Sequence, residues 1–144
     1  MVICTIGFAK KNLRTFIQKL KEAGVRKVVD IRLHNTSQLA GYAKKDDLEY
    51  VLSLVGIAYE HHPELAPTAE ILDGIKNKRL SWPDYERQFA ALLAQRNPPE
   101  SLRWLGGNGP ACLLCAEDKP LRCHRRLVAE YYAAHASGVR IRHL

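Results

Sequence analysis

Residues 2–7 read VICTIG and residues 27–31 read KVVDI, with NLRTFIQKLKEAG at positions 12–24 between them. Both short runs are apolar and β-rich, as strands covered on both faces are. Between them Leu13, Phe16, Ile17 and Leu20 recur at helical spacing, Asn12 supplies an N-cap and Gly24 a stop. Strand, helix and strand within about 30 residues make a βαβ unit, whose strands run parallel.

The pattern continues outward from that unit. Residues 34–41 are polar and read as a loop. Leu48, Val51, Leu52 and Val55 give a second helix closed by Gly56, and residues 57–61 a third strand. Residues 63–80 read as a loop with a short helix through Ile71 and Ile75. Ser81-Trp82-Pro83-Asp84 opens a helix that runs to about Gln95, with an N-cap serine, an early proline and an acid in the first turn. A turn is expected at 106–110, a strand at 111–115, a helix at 123–137 capped by Gly138, and a last strand at 139–143. The alternation predicts one α/β domain over residues 1–144, a layered fold with a mainly parallel β-sheet flanked by helices.

With 144 residues, the chain buries about two thirds of its unfolded surface and needs neither disulfide nor metal to fold. No apolar run reaches the roughly 20 residues that span a bilayer, so no membrane partner is expected. The N-terminus lacks a secretory pattern, which points to the cytoplasm and to four cysteines present as thiols. Net charge is +7, and residues 119–144 hold six Lys/Arg against the single acid Glu130. Such a field favours an anionic small molecule, a nucleotide or nucleic acid as partner. Nothing in the sequence calls for a cofactor or specifies an oligomeric state.

Parallel sheets bind ligands at the carboxyl ends of their strands. The residues just past those ends are Gly7 and Phe8, Asp30 and Arg32, His61 and His62, and Cys115 and Glu117. The expected last helix opens at Cys123-His124-Arg125, where backbone N–H groups and the helix dipole favour an anion and lower a thiol pKa. Arg125 and Arg32 can fork onto a phosphate. Asp30, Glu117 and His124 are the candidates for moving a proton. Thr5, Asp30, Arg32, Glu117, His124 and Arg125 are expected to converge on one cleft. Tyr85, Phe89, Tyr131 and Tyr132 stand at helical spacing and read as core.

Three blocks together, Thr5-Ile6-Gly7, Asp30-Ile31-Arg32, and Cys115-Ala116-Glu117 followed by Cys123-His124-Arg125, resemble the signature of the family called domain of unknown function 488. Residues 35–41, NTSQLAG, resemble one branch of it. The resemblance runs from residue 1 to about 143 and implies a small bacterial or archaeal cytoplasmic α/β protein, without supplying a function. Phe8-Ala9 stand where many members have His or Tyr followed by Ser, so those positions offer no polar side chain.

Alternative chemistries fit less well. The loop from Cys115 to Arg122 is one residue longer than a thiol-phosphatase loop and holds acids but no glycine, a poor phosphate cradle. A zinc site has the right atom types in Cys112, Cys115, Cys123 and His124. However, Cys112 and Cys115 lie three apart on a strand and face opposite ways, and adjacent Cys123 and His124 rarely share an ion, so no metal is expected. The reading reached is an enzyme acting on a phosphorylated, nucleotide-like or nucleic-acid substrate. Catalysis is assigned to Asp30, Glu117 and His124, and anion binding to Thr5, Gly7, Arg32, Cys123 and Arg125, with acid–base chemistry favoured over a cysteine nucleophile. The alternatives are a non-catalytic basic nucleic-acid-binding module and a cysteine-based redox or sulfur-handling protein.

Overall fold

A computed structural model describes residues 1–96 and 109–144. Five parallel strands form one sheet in the order β3-β2-β4-β1-β5. They are β1 (Val2–Gly7), β2 (Lys27–Asp30), β3 (Ala58–His61), β4 (Ala111–Cys115) and β5 (Arg140–His143). The helices are α1 (Leu13–Glu22), α2 (Lys45–Leu54), α3 (Ala69–Lys76), α4 (Trp82–Arg96) and α5 (His124–His135). No described helix is long and apolar enough to cross a membrane.

The helix starts follow from their caps. The Asn12 side chain accepts from Thr15 N at 2.8 Å, and Ser81 Oγ accepts from Asp84 N at 3.2 Å. Gly24 follows α1 with φ +70°, the left-handed stop that glycine adopts without cost. Two differences from expectation are local. A 3-10 turn, Gln38–Ala43, occupies part of the expected loop, opened by Ser37 Oγ accepting from Leu39 N. Helix α5 ends at His135 because Ala136 is already extended. The expected turn at 106–110 lies outside the described residues as far as 108.

The connections set which face each helix covers. β1-α1-β2 and β2-α2-β3 step toward one edge of the sheet, while α4-β4 and β4-α5-β5 step toward the other. Right-handed crossovers then place α1 and α2 on one face and α4 and α5 on the opposite one. The core divides in this way. Phe16, Leu20, Leu48 and Leu52 pack on Cys4, Ile6, Val28, Cys112 and Leu114. Phe89, Leu93, Val128 and Tyr132 pack on Ile3, Val29, Leu113 and Cys115. Strand alternation assigns each residue its face. The opposed facing expected for Cys112 and Cys115 follows directly.

Candidate functional site

At the carboxyl edge lies an open cleft of about 710 Å³. Its floor and walls come from the ends of β2 and β4, the end of α3, and the starts of α4 and α5. Leu33, Leu72, Ile75, Leu80, Trp82 and Tyr85 give it an apolar side. Trp82 and Tyr85 stack, with ring centroids 4.6 Å apart and planes at 16°. Lys76, Lys78 and Arg122 give it positive charge, and none has an acid partner among the described residues. Glu117 is its one described acid. Lys78 holds φ +59°, a left-handed conformation that an ordinary residue keeps only at a cost.

The expected convergence on one cleft is corrected by the sheet register. Asp30 is in register with Leu114 and His61 and faces the α1–α2 side. Thr5 is in register with Leu113 and faces α5, from which Arg125 reaches it. Arg32, Glu117, Cys123 and His124 line the cleft, whereas Thr5, Gly7, Asp30 and Arg125 do not.

Asp30 is fully buried. It accepts from Arg32 Nε at 2.8 Å, Arg32 Nη2 at 2.7 Å, Tyr59 Oη at 2.5 Å and Asn35 Nδ2 at 3.3 Å. Burial alone would raise its carboxyl pKa, but the Arg32 guanidinium and the other donors outweigh this and hold it below the usual value. The same burial, with the Asp30 bond, raises the Tyr59 phenol. Arg32 also donates to Ala43 O at 2.7 Å and lies over the Phe8 ring at 5.2 Å. This ion pair fixes the 32–35 loop. In this structure the carboxylate is enclosed and fully partnered, and it faces away from the cleft.

Arg125 is also fully buried. It donates to Thr5 Oγ1 at 3.3 Å, Asp118 O at 3.1 Å, Cys115 Sγ at 3.7 Å and Glu117 O. Its guanidinium is therefore spent on the β4–α5 loop and not offered to a ligand. Thr5 additionally bonds His143 Nδ1 at 2.6 Å. Gly7 serves the same brace. A Cβ there would overlap Glu117 O and come within 2.5 Å of Arg125 Nη1. Its need is space rather than an anion.

His124 opens α5, bonds Ile31 O through Nε2 at 2.6 Å and meets Phe89 edge-on, with centroids 5.9 Å apart. Burial, helped by the charge of Arg125, pushes its imidazole down to about 4. The ring is therefore neutral near pH 7. Glu117 is exposed on the cleft rim. His61 bonds Arg32 O at 2.7 Å, and His62 bridges Glu60 and Glu64. Neither lines the cleft.

The cysteines depart from expectation. Cys115 and Cys123 are joined as a disulfide, because β4 alternation turns Cys115 toward α5 while Cys123, the N-cap of α5, sits over the strand end. Only Cys4 and Cys112 are free, and both are buried. Burial raises both thiol pKa values. Cys123 is thus not an open, activated thiol.

Sequence reasoning missed Lys76 and Lys78, which follow a short helix and carry no local signal of a site. It noted Arg122 only as a loop residue and Trp82 only as part of a helix start. The cap motif at 81–84 was the available clue, since it aims the start of α4 at the sheet edge. The family model described as domain of unknown function DUF488 matches residues 12–132. No curated protein and no solved structure gives a match. The chain belongs to the DUF488 family.

Proposed function

We propose that this member of the family is an enzyme that holds a phosphorylated, nucleotide-like molecule in the carboxyl-edge cleft. The observation that carries the reading is the lining of that cleft, with three cations that have no acid partner among the described residues on one side and an apolar, aromatic wall on the other. Lys76, Lys78 and Arg122 attract the phosphate, and the Trp82 side accepts a base or another flat apolar group. Glu117 is the group that moves a proton, since it alone among the described acids lines the cleft. His124, neutral and fixed on Ile31 O, is a positioned neighbour to the reaction. Arg32, on the cleft wall and paired with Asp30, and Arg125, behind that wall, hold the two loops in place.

The test is calorimetric titration of the full chain with nucleoside mono- and diphosphates and with inorganic phosphate. Saturable binding is expected, accompanied by a change in tryptophan fluorescence that Trp82→Phe removes. Lys78→Ala and Arg122→Ala should each weaken binding by about 1 kcal/mol, or roughly fivefold. Arg140→Ala, on the far edge strand, should leave it unchanged. Comparable losses at Arg140, Lys78 and Arg122, with a steep salt dependence on DNA or RNA, would favour the non-catalytic nucleic-acid module instead.

A further inference from the structure

Cys115, Cys123 and His124 each bring one ligand-type atom, two sulfurs and a ring nitrogen, to within 4.8 Å of one another. All three line the cleft. One sequence objection to a metal holds, since Cys112 lies on the other face of the sheet. The other, that adjacent Cys123 and His124 rarely share an ion, does not. Cys123 is extended, with φ −135° and ψ 140°, and α5 begins at the next residue. The chain turns between the two side chains, so both reach the end of β4.

We propose that the reduced Cys115–Cys123 pair and His124 bind a divalent metal of the zinc class, with one coordination position left on the cleft side. Two thiolates and an imidazole are a donor set that zinc prefers over hard cations. Three protein ligands beside a cleft is the count of sites that keep a position for water or substrate, rather than of closed structural sites.

Three further observations support the assignment. The Cα atoms of Cys115 and Cys123 are 7.6 Å apart, wider than the roughly 4.4–6.8 Å that a disulfide usually spans. A metal between the sulfurs replaces one bond with two of about 2.3 Å and so bridges a wider backbone gap. His124 gives its Nε2 to Ile31 O. Metal-bound histidines use their second nitrogen in this way, which leaves Nδ1 as the ligand. Finally, Arg125 Nη1 reaches Cys115 Sγ at 3.7 Å, and its other acceptors are the neutral oxygens of Thr5, Glu117 and Asp118. A metal thiolate is the anionic acceptor that this buried guanidinium otherwise lacks among the described residues.

The inference does not depend on the nucleotide reading, because its test reads the metal directly. The full chain is reduced with a phosphine, stripped with a chelator and titrated with Co²⁺ without oxygen. A single equivalent should bind with a near-ultraviolet thiolate-to-cobalt absorption and visible bands of tetrahedral intensity. Zn²⁺ should displace it and protect both thiols from alkylation. Cys115→Ser and His124→Asn should each lower affinity by at least about 100-fold, the upper end of what losing a mere supporting partner costs. Cys112→Ala should leave affinity unchanged. If Cys115→Ser does not fold, His124→Asn and thiol protection in the unmodified chain carry the decision. A reduced, folded chain that takes up no stoichiometric cobalt overturns the proposal. So does cobalt bound without the thiolate band, or a Cys115–Cys123 bond that survives excess phosphine in the folded chain.

Discussion

Asp30 and Arg125 stand at the same edge of one sheet, yet their side chains lie on opposite faces of it. Asp30 continues the face of Val28, where it secures Arg32 and Asn35. Arg125 reaches Thr5 and the carbonyls of residues 117 and 118 on the α5 face. Each charge ties down one loop, and the cleft opens between the loops. The rim is therefore held by two independent braces, which can be broken one at a time.

The first brace is a buried ion pair. Removing either partner leaves the other charge enclosed and unpaired, so Asp30→Asn or Arg32→Met should each cost about 3–5 kcal/mol in urea unfolding. The double variant should lose clearly less than the two single losses combined. The pH dependence has a definite sign. The folded pKa of Asp30 lies below its unfolded value, so its contribution is present above about 3.9 and fades as pH falls through the folded value. Asp30→Asn should therefore flatten the acid limb of the stability profile. An unchanged acid limb would show that Asp30 is not the group responsible.

The second brace depends on space. Gly7→Ala forces its new methyl against Glu117 O and Arg125 and should cost about 1–3 kcal/mol or more by overpacking. Arg125→Met leaves two loop carbonyls without their donor and should cost about 3 kcal/mol. Because both changes strike the same contact, Gly7→Ala combined with Arg125→Met should cost less than the two separately. Strict additivity in thermal or urea unfolding would show that they do not act through one brace.

Much of this architecture is written along the chain, and the parts that are not share a physical cause. Asn12, Ser81 and the helical spacing of Phe16 and Leu20 are local signals, and they located α1 and α4 because caps and periodicity act over a few residues. The insertion of β4 between β1 and β2 is set by long-range pairing, which no local pattern reports. That insertion fixed the register and hence the parity of Asp30 relative to Thr5. Reaching the same sheet edge is not the same as reaching one cleft, because residues of opposite parity point away from each other. The cleft lysines escaped notice for a related reason. Lys76 and Lys78 become part of the site only because α3 folds back over the edge. The opposed facing of Cys112 and Cys115, by contrast, needed one strand alone and was legible.

Glu117 should separate binding from turnover. Glu117→Gln removes the one described acid lining the cleft, so affinity for a phosphorylated ligand should hold or rise by a few-fold through lost repulsion. Any turnover should fall by about 10²–10⁴-fold, as expected for the loss of a general acid or base. Steady-state kinetics beside calorimetry would read both quantities. Unchanged turnover in Glu117→Gln would exclude this carboxylate and move attention to His124.

The four cysteines differ in which face of the sheet they occupy rather than in exposure, since Cys115 and Cys123 are themselves only 2% and 3% exposed. Cys4 and Cys112 are fully buried and have thiol pKa values raised by burial, so they lack both access and thiolate. Cys115 and Cys123 line the cleft but are bonded to each other. Alkylation of the folded chain without reductant should therefore label almost nothing. Mild reduction should expose Cys115 and Cys123 to the reagent while Cys4 and Cys112 stay silent until the chain unfolds. Arg125 contacts Cys115 Sγ, so the order in which the two reduced thiols are labelled reports whether that contact persists after reduction. Mass spectrometry of labelled peptides across pH would decide the order. Prompt labelling of Cys112 in the folded chain would contradict the facing of β4 on which the whole site depends.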